Sequence, residues 1–313
     1  MRHYIRAHVN QCNRCQLAKR KRHKYGHLPP REVDDVPWKT VCCDLIGPYT
    51  IKGKDGSALD FMCLTMVDPV TGWFEIVELP NADVTYVRNG DEIEKVVIDK
   101  SSAAISQLFN KTWLSRYPRC RYVTFDNGSE FKLHFVALCR TYGLEVKPTS
   151  VKNPQANAVL ERIHGVFGDM MRTSELDMRD SAEPKDVDEF LTNAAWAIRS
   201  THHTVLGTTP GAAVFGRDML FDIPYLADWH EIGRRRQKLV DRDSKRENSK
   251  RREHDYTVGD KCTLRKDGIL RKAEDKNIGP WTVTQVHCNS TVRIQQGTVS
   301  EMLNIRRINP YVD

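Results

Sequence analysis

From Thr40 onward the apolar residues of this chain come in short blocks, and the spacing within each block predicts its element. "TVCCDLIGPY" (40–49), "LDFMCLTMV" (59–67) and "GWFEIVEL" (72–79) are rich in β-branched and aromatic residues and read as three strands. The second and third are joined by Asp68-Pro69-Val70-Thr71, a short hairpin loop, so the three form an antiparallel meander. The stretch that follows from Asn81 is polar. Ile105, Leu108, Phe109 and Trp113 then recur at helical spacing, with Ser101 or Ser102 as the cap. "CRYVTFD" (120–126) is a fourth strand. A helix over 129–143 carries Phe131, Phe135, Leu138 and Cys139 on one stripe and stops at Gly143. "LEVKPTS" (144–150) is a short strand, 151–157 a loop, and 158–173 a helix with Leu160, Ile163, Phe167 and Met170 inward. The order β-β-β-α-β-α-β-α predicts a mixed five-stranded sheet with helices on both faces, its first and fourth strands parallel neighbours in the middle. Further helices are expected over 187–199 and, briefly, around 209–217. The residues after Tyr256 form several short strands, read as a small β-barrel.

Composition narrows the partners. The 313 residues carry 48 Lys and Arg against 41 Asp and Glu, a net charge of +7, which favours a polyanionic partner such as nucleic acid. The excess is concentrated: 234–252 holds ten basic residues against three acidic ones, and 19–24 reads Lys-Arg-Lys-Arg-His-Lys. Nine cysteines, an odd number without a secretory leader, read as reduced thiols of an intracellular protein. No apolar run reaches the length of a membrane span.

The chemistry lies in three carboxylates. Asp44 is within the first strand and Asp126 ends the fourth, immediately before Asn127-Gly128. Glu161 is in the first turns of the helix over 158–173, one position off its apolar stripe. Taken singly, each is an ordinary cap or solvated acid. Brought together at the rim of one sheet, they would repel and raise one another's pKa unless cations neutralised them. Hard oxygen ligands suit Mg²⁺ or Mn²⁺, and two such ions can clamp the attacking and leaving oxygens of a phosphoryl displacement.

"CCDLIGPY", "FDNGSEF" and "NPQANAVLERIHGVF" resemble the three acidic motifs of retroviral and long-terminal-repeat retrotransposon integrases, nearest the gypsy-like group. "TTPGAAVFGRDM" resembles a segment that follows the catalytic motifs in that group. "NIGPWTVTQVHCNSTVRIQ" with "LNIRRINPY" resembles its C-terminal module, with Gly279-Pro280-Trp281 in place of Gly-Pro-Tyr/Phe. The resemblance implies a ribonuclease-H-like α/β core with an SH3-like C-terminal barrel. It implies Asp44, Asp126 and Glu161 as a triad holding two Mg²⁺ or Mn²⁺ ions, and it implies 3′-end processing of donor DNA and strand transfer into target DNA. It further implies donor and target double-stranded DNA as partners, a homo-multimer, no membrane, and action in the nucleus of a eukaryotic host. The domains expected are a remnant zinc module (1–28), the core (29–222), a basic linker helix (223–255) and the barrel (256–313).

The chain departs from the pattern in three places. Thirty-four residues separate Asp126 from Glu161, one fewer than the retroviral spacing. Gly165 stands where the retroviral helix has a DNA-contacting lysine; Lys152, Gln155, Asn157 and Arg162 are candidate substitutes by loop position, with Arg234, Arg235 and Arg236 in the basic run. Cys12 and Cys15 are half of a tetrahedral zinc site, and the upstream histidines of the family's module are lacking; residues 1–28 are expected to form no closed zinc site and to stay mobile. Two rivals stand beside the integrase reading. A cut-and-paste transposase with the same core is disfavoured by the Gly-Pro-Trp module. A domesticated or inactive nucleic-acid-binding remnant is disfavoured by the intact triad and favoured by the truncated zinc module.

Overall fold

The computed structural model describes residues 2–19, 21, 23–88, 91–148, 158–174, 176, 179–266, 268 and 270–312. The chain forms two compact units: Met1–Val33 with Arg235–Asp313, and Asp34–Thr149 with Pro154–Arg234. No helix among the described residues is long and apolar enough to cross a membrane.

The chain opens with α1 (Arg2–Gln11), α2 (Asn13–Ala18) and a two-residue strand β1 (Lys24–Tyr25). The core unit follows: β2 (Thr40–Lys52), β3 (Ala58–Val67), β4 (Phe74–Glu78), β5 (Asn81–Arg88), β6 (Asp91–Ile98), α3 (Ser102–Phe109), β7 (Tyr122–Phe125), α4 (His134–Thr141), β8 (Glu145–Pro148), α5 (Ala158–Thr173), α6 (Pro184–Ser200) and α7 (Pro210–Phe215). Its main sheet is ordered β4-β3-β2-β7-β8. β2, β3 and β4 pair antiparallel, whereas β2, β7 and β8 pair parallel, so the first and fourth strands of the sequence pattern are central neighbours.

Alternation along β2 divides the core. Val41 and Cys43 face α3 and α4 with Ile105, Phe109, Phe135 and Cys139. Cys42 and Ile46 face α5 and α6 with Leu160, Phe167, Val187 and Leu191. Two adjacent cysteines thus sit in opposite cores, and burial pushes the Cys42 thiol up to about 12. The thiols of Cys42, Cys43, Cys63, Cys120, Cys139 and Cys262 are buried and act as small hydrophobes.

Two elements differ from the pattern. The stretch after Asn81, polar in sequence, is the hairpin β5–β6, paired from Asn81↔Ile98 to Arg88↔Asp91. The helix expected over 129–143 is split into a 3₁₀ turn (Ser129–Phe131) and α4, because Leu133 takes a positive φ of 42° between them.

The other unit contains most of α8 (Trp229–Asn248), β9 (Arg251–Arg252) and β10 (Lys261–Arg265), β11 (Asn277–Val286), β12 (Thr291–Gln296), β13 (Val299–Asn304) and β14 (Ile308–Pro310). The last five form an antiparallel sheet, ordered β13-β12-β11-β10-β14, around Cys262, Trp281, Val283, Val292 and Ile294. Gly279 has a φ of 147°, and the Cys262 carbonyl oxygen lies 3.0 Å from where a Cβ would sit, so the Gly-Pro-Trp motif needs its glycine.

The described residues of 1–28, a segment expected to be a mobile remnant, are built into this same unit. Asn277, buried in β11, donates its amide to the carbonyls of Gln16 (3.0 Å), Leu17 (3.2 Å) and Lys19 (3.0 Å). Gln16 is buried and exchanges two hydrogen bonds with the backbone of Val312, at 2.7 and 3.0 Å. β1 pairs with β9, and Leu28 completes the barrel core. These hydrogen bonds satisfy the buried polar groups and tie the described part of the segment to the barrel.

Candidate active site: carboxylates at the rim of the central strands

β2 and β7 pair as Thr40↔Tyr122, Val41↔Val123 and Cys42↔Thr124. Two residues further on, the register sets Asp44 level with Asp126, just beyond the end of β7. Side chains in register on neighbouring strands leave the sheet on the same face. The chain then turns: the Gly128 N–H donates to Asp126 Oδ1 at 3.2 Å, an Asx turn that explains the Asp-Asn-Gly sequence. Asp126 is exposed, Asp44 partly buried, and Glu161 exposed in the first turn of α5, where a carboxylate suits the helix dipole. Arg162 is exposed beside it. Lys152, Gln155 and Asn157 lie outside the described residues.

Burial pushes the Asp44 carboxyl above its ordinary 3.8; the Leu45 N–H, at 2.9 Å from Oδ1, pulls it back, and the charges of Asp126, Glu161 and Glu130 raise it again, to about 6. Among the described residues, no three His, Cys, Asp or Glu side chains converge tightly enough to hold a metal ion. The two aspartates instead turn toward the backbone N–H groups of Leu45 and Gly128. The oxygen-only set Asp44, Asp126 and Glu161 fits a hard divalent cation in its chemistry.

His164, absent from the sequence-based set, belongs to this site. Asp44 pairs with Thr65 across β2 and β3, and the fully buried Thr65 donates its hydroxyl proton to the Asp44 carbonyl at 3.0 Å. Thr65 Oγ1 therefore accepts from His164 Nε2, 2.9 Å away, which puts the imidazole proton on Nε2. His164 Nδ1 carries the lone pair and faces Asp44 Oδ2 at 4.0 Å. Burial pushes His164 down to about 4, so the ring is neutral at physiological pH. Its position three residues after Glu161, on the same face of α5, was the available signal.

At the N-terminus, Cys12, the N-cap of α2, and Cys15 within it are half-buried, and hydrogen bonding from Cys15 lowers the Cys12 thiol. Arg234 is exposed and pairs with Glu231, while Arg235 and Arg236 are half-buried.

No family model matches the chain. It is 26% identical over 213 residues to the "Uncharacterized protein K02A2.6" of Caenorhabditis elegans, covering 67% of this chain but only 14% of that protein's length. Among solved structures it is similar to the simian T-cell lymphotropic virus intasome, solved in complex with PP2A regulatory subunit B56 gamma: TM-score 0.62, 13% identity, 100% of this chain and 92% of that one. The HTLV-2 integrase catalytic core domain, in complex with magnesium, aligns over 56% of this chain and 95% of its own, with 15% identity and a TM-score of 0.38. The chain resembles the retroviral integrases and has their fold, a ribonuclease-H-like core with a small C-terminal barrel of SH3-like type.

Proposed function

We propose that this chain is a retroelement integrase, a polynucleotidyl transferase that trims donor DNA 3′ ends and joins them to target DNA. The observation that carries the reading is the placement of Asp44 level with Asp126 on parallel central strands, its carboxyl raised by burial and by the charges of Asp126, Glu161 and Glu130. Such mutual repulsion is what a cation-binding carboxylate set produces. Asp44, Asp126 and Glu161 would hold Mg²⁺ or Mn²⁺, two ions on this reading; bound there, the metal supplies Lewis acidity toward the phosphoryl oxygens. In processing, a water oxygen bonds to phosphorus as the bond to the 3′ oxygen breaks; in joining, the freed 3′-hydroxyl attacks a target phosphodiester in the same way. Neutral His164, tied to Thr65, holds the α5 face against Asp44 and brings no positive charge to compete with the metal. Two donor ends require two such sites, hence a homo-multimer on donor and target duplexes, acting in the nucleus of a eukaryotic host.

Asp126→Asn keeps the side chain's size and its acceptor for Gly128 while removing the charge. It should leave the fold intact and lower nicking and joining of short duplexes by about 10³-fold or more in Mg²⁺. Wild-type strand transfer by the variant would sink the assignment.

A further inference from the structure

Strands β7 and β8 carry a cationic cluster on the sheet face that Asp44 shares. The register sets Thr40, Tyr122 and Glu145 side by side, and Cys42, Thr124 and Lys147 one step nearer to Asp44 and Asp126. On this face α5 and α6 pack over β2, β3 and β4. Over β7 and β8, Tyr122 and Thr124 are half-buried and Lys147 is exposed. Three cations converge on the Tyr122 ring: Lys147 Nζ lies 3.1 Å from its centroid, Arg121 5.1 Å and Lys39 5.9 Å.

Among the described residues, two carboxylates pair with these cations. Glu145 accepts from Arg121 at 3.0 Å, and Asp34 from Lys39 at 3.2 Å. The exposed Arg121–Glu145 pair is weak and exchanges readily for a stronger anion, whereas the Lys39–Asp34 pair is half-buried. Lys147 makes no ion pair among the described residues. The ring below Lys147 holds its ammonium in place, so it loses less rotamer freedom on binding than a free surface lysine. Tyr122 and Asp126 are four residues apart along the strand direction, about 13 Å, or roughly four base steps of B-form DNA.

We propose that Lys147, Arg121 and Lys39, organised around Tyr122, form a subsite for the phosphodiester backbone of duplex DNA leading into the carboxylate cluster. The destination of that DNA rests on the function proposed above; the subsite rests on the cluster itself. Clustered cations on a half-buried sheet face, with Lys147 one register step nearer to an acidic site that needs phosphate brought to it, fit a backbone that crosses both regions better than an isolated small anion.

The test is lysine acetylation of the full chain with and without a short duplex, in EDTA so that no chemistry runs, read residue by residue by mass spectrometry. Acetylation of Lys147 should fall several-fold on adding DNA, while exposed Lys185 stays unchanged. In parallel, Lys147→Gln should reduce the slope of log affinity against log salt by roughly 0.9. Equal acetylation of Lys147 in both states, or an unchanged slope, overturns the subsite. A protected Lys147 in a chain that performs no strand transfer supports the subsite and counts against the function; strand transfer with Lys147 unprotected does the reverse.

Discussion

Asp44 and His164 have opposed proton linkages, and the two can be separated. Asp44 is raised from 3.8 to about 6, so between those values the folded chain holds a proton that the unfolded chain has released, and its contribution to stability is lost as pH rises. His164 is lowered from 6.5 to about 4, so over nearly the same window the unfolded chain holds the extra proton, and stability rises with pH. Each shift corresponds to about 3 kcal/mol, and the side chains are only 24% and 17% exposed, so the two slopes nearly cancel in the wild type. Asp44→Asn removes one arm. Its urea-unfolding free energy, measured in EDTA, should rise with pH between 4 and 6.5 more steeply than that of the wild type. Parallel profiles for the two proteins would show that the Asp44 carboxyl is not raised in the folded chain, and a flat Asp44→Asn profile would show that His164 is not held neutral by burial. The sequence makes Asp44 and Asp126 legible because strand order alone predicts their neighbourhood. It does not reveal His164, whose partner Thr65 is 99 residues away, and a lone histidine on a helix is more often bland than functional.

Element boundaries follow the same division between local and distant causes. α3, capped by Ser101 through the Ala104 N–H at 3.2 Å, and the parallel pairing of β2 with β7 are encoded in nearby residues. The β5–β6 hairpin was also locally encoded: Val84-Thr85-Tyr86-Val87 precedes Asn89-Gly90, the dipeptide most typical of hairpin turns, but its interleaved charges mask the strands. The N-terminal segment was illegible for a different reason. Its partners, Asn277 and Val312, lie at the other end of the chain, and no periodicity in 1–28 announces them. Asn277→Ala should therefore loosen both ends together. The carbonyls of Gln16, Leu17 and Lys19 would lose the donor they share, at a cost of about 1–3 kcal/mol to the barrel unit. Limited proteolysis should then cleave within 1–28 faster, and the unfolding midpoint followed through Trp281 should drop. Unchanged cleavage together with an unchanged midpoint would mean that the amide is incidental to holding the segment.

Across the whole molecule, the excess of positive charge occupies two structural settings that composition cannot distinguish. Within the run 234–252, Arg251 is structural: its side chain is fully buried, its guanidinium donates to the carbonyls of Gly26 and Tyr25, and Glu247 lies within 3.5 Å. Glu247 also takes two hydrogen bonds from Arg306, at 2.9 and 3.0 Å. Lys238, Arg242 and Lys245 are different. They are spaced four and three residues apart on α8, which puts them on one stripe, and all three are exposed without an ion pair among the described residues. Such a stripe displaces counterions from a phosphate backbone, and its effect appears in the salt dependence of binding rather than in stability. Replacing Lys238, Arg242 and Lys245 together by Gln should reduce the slope of log affinity for duplex DNA against log salt by roughly 0.9 for each phosphate no longer neutralised, equally on unrelated sequences, with the unfolding midpoint unchanged. Arg251→Gln should do the converse, lowering the midpoint and leaving the slope of the remaining folded protein unaltered, because the carbonyls of Gly26 and Tyr25 lose their buried donor. If the triple variant binds with the wild-type slope, the stripe is solvated rather than DNA-facing.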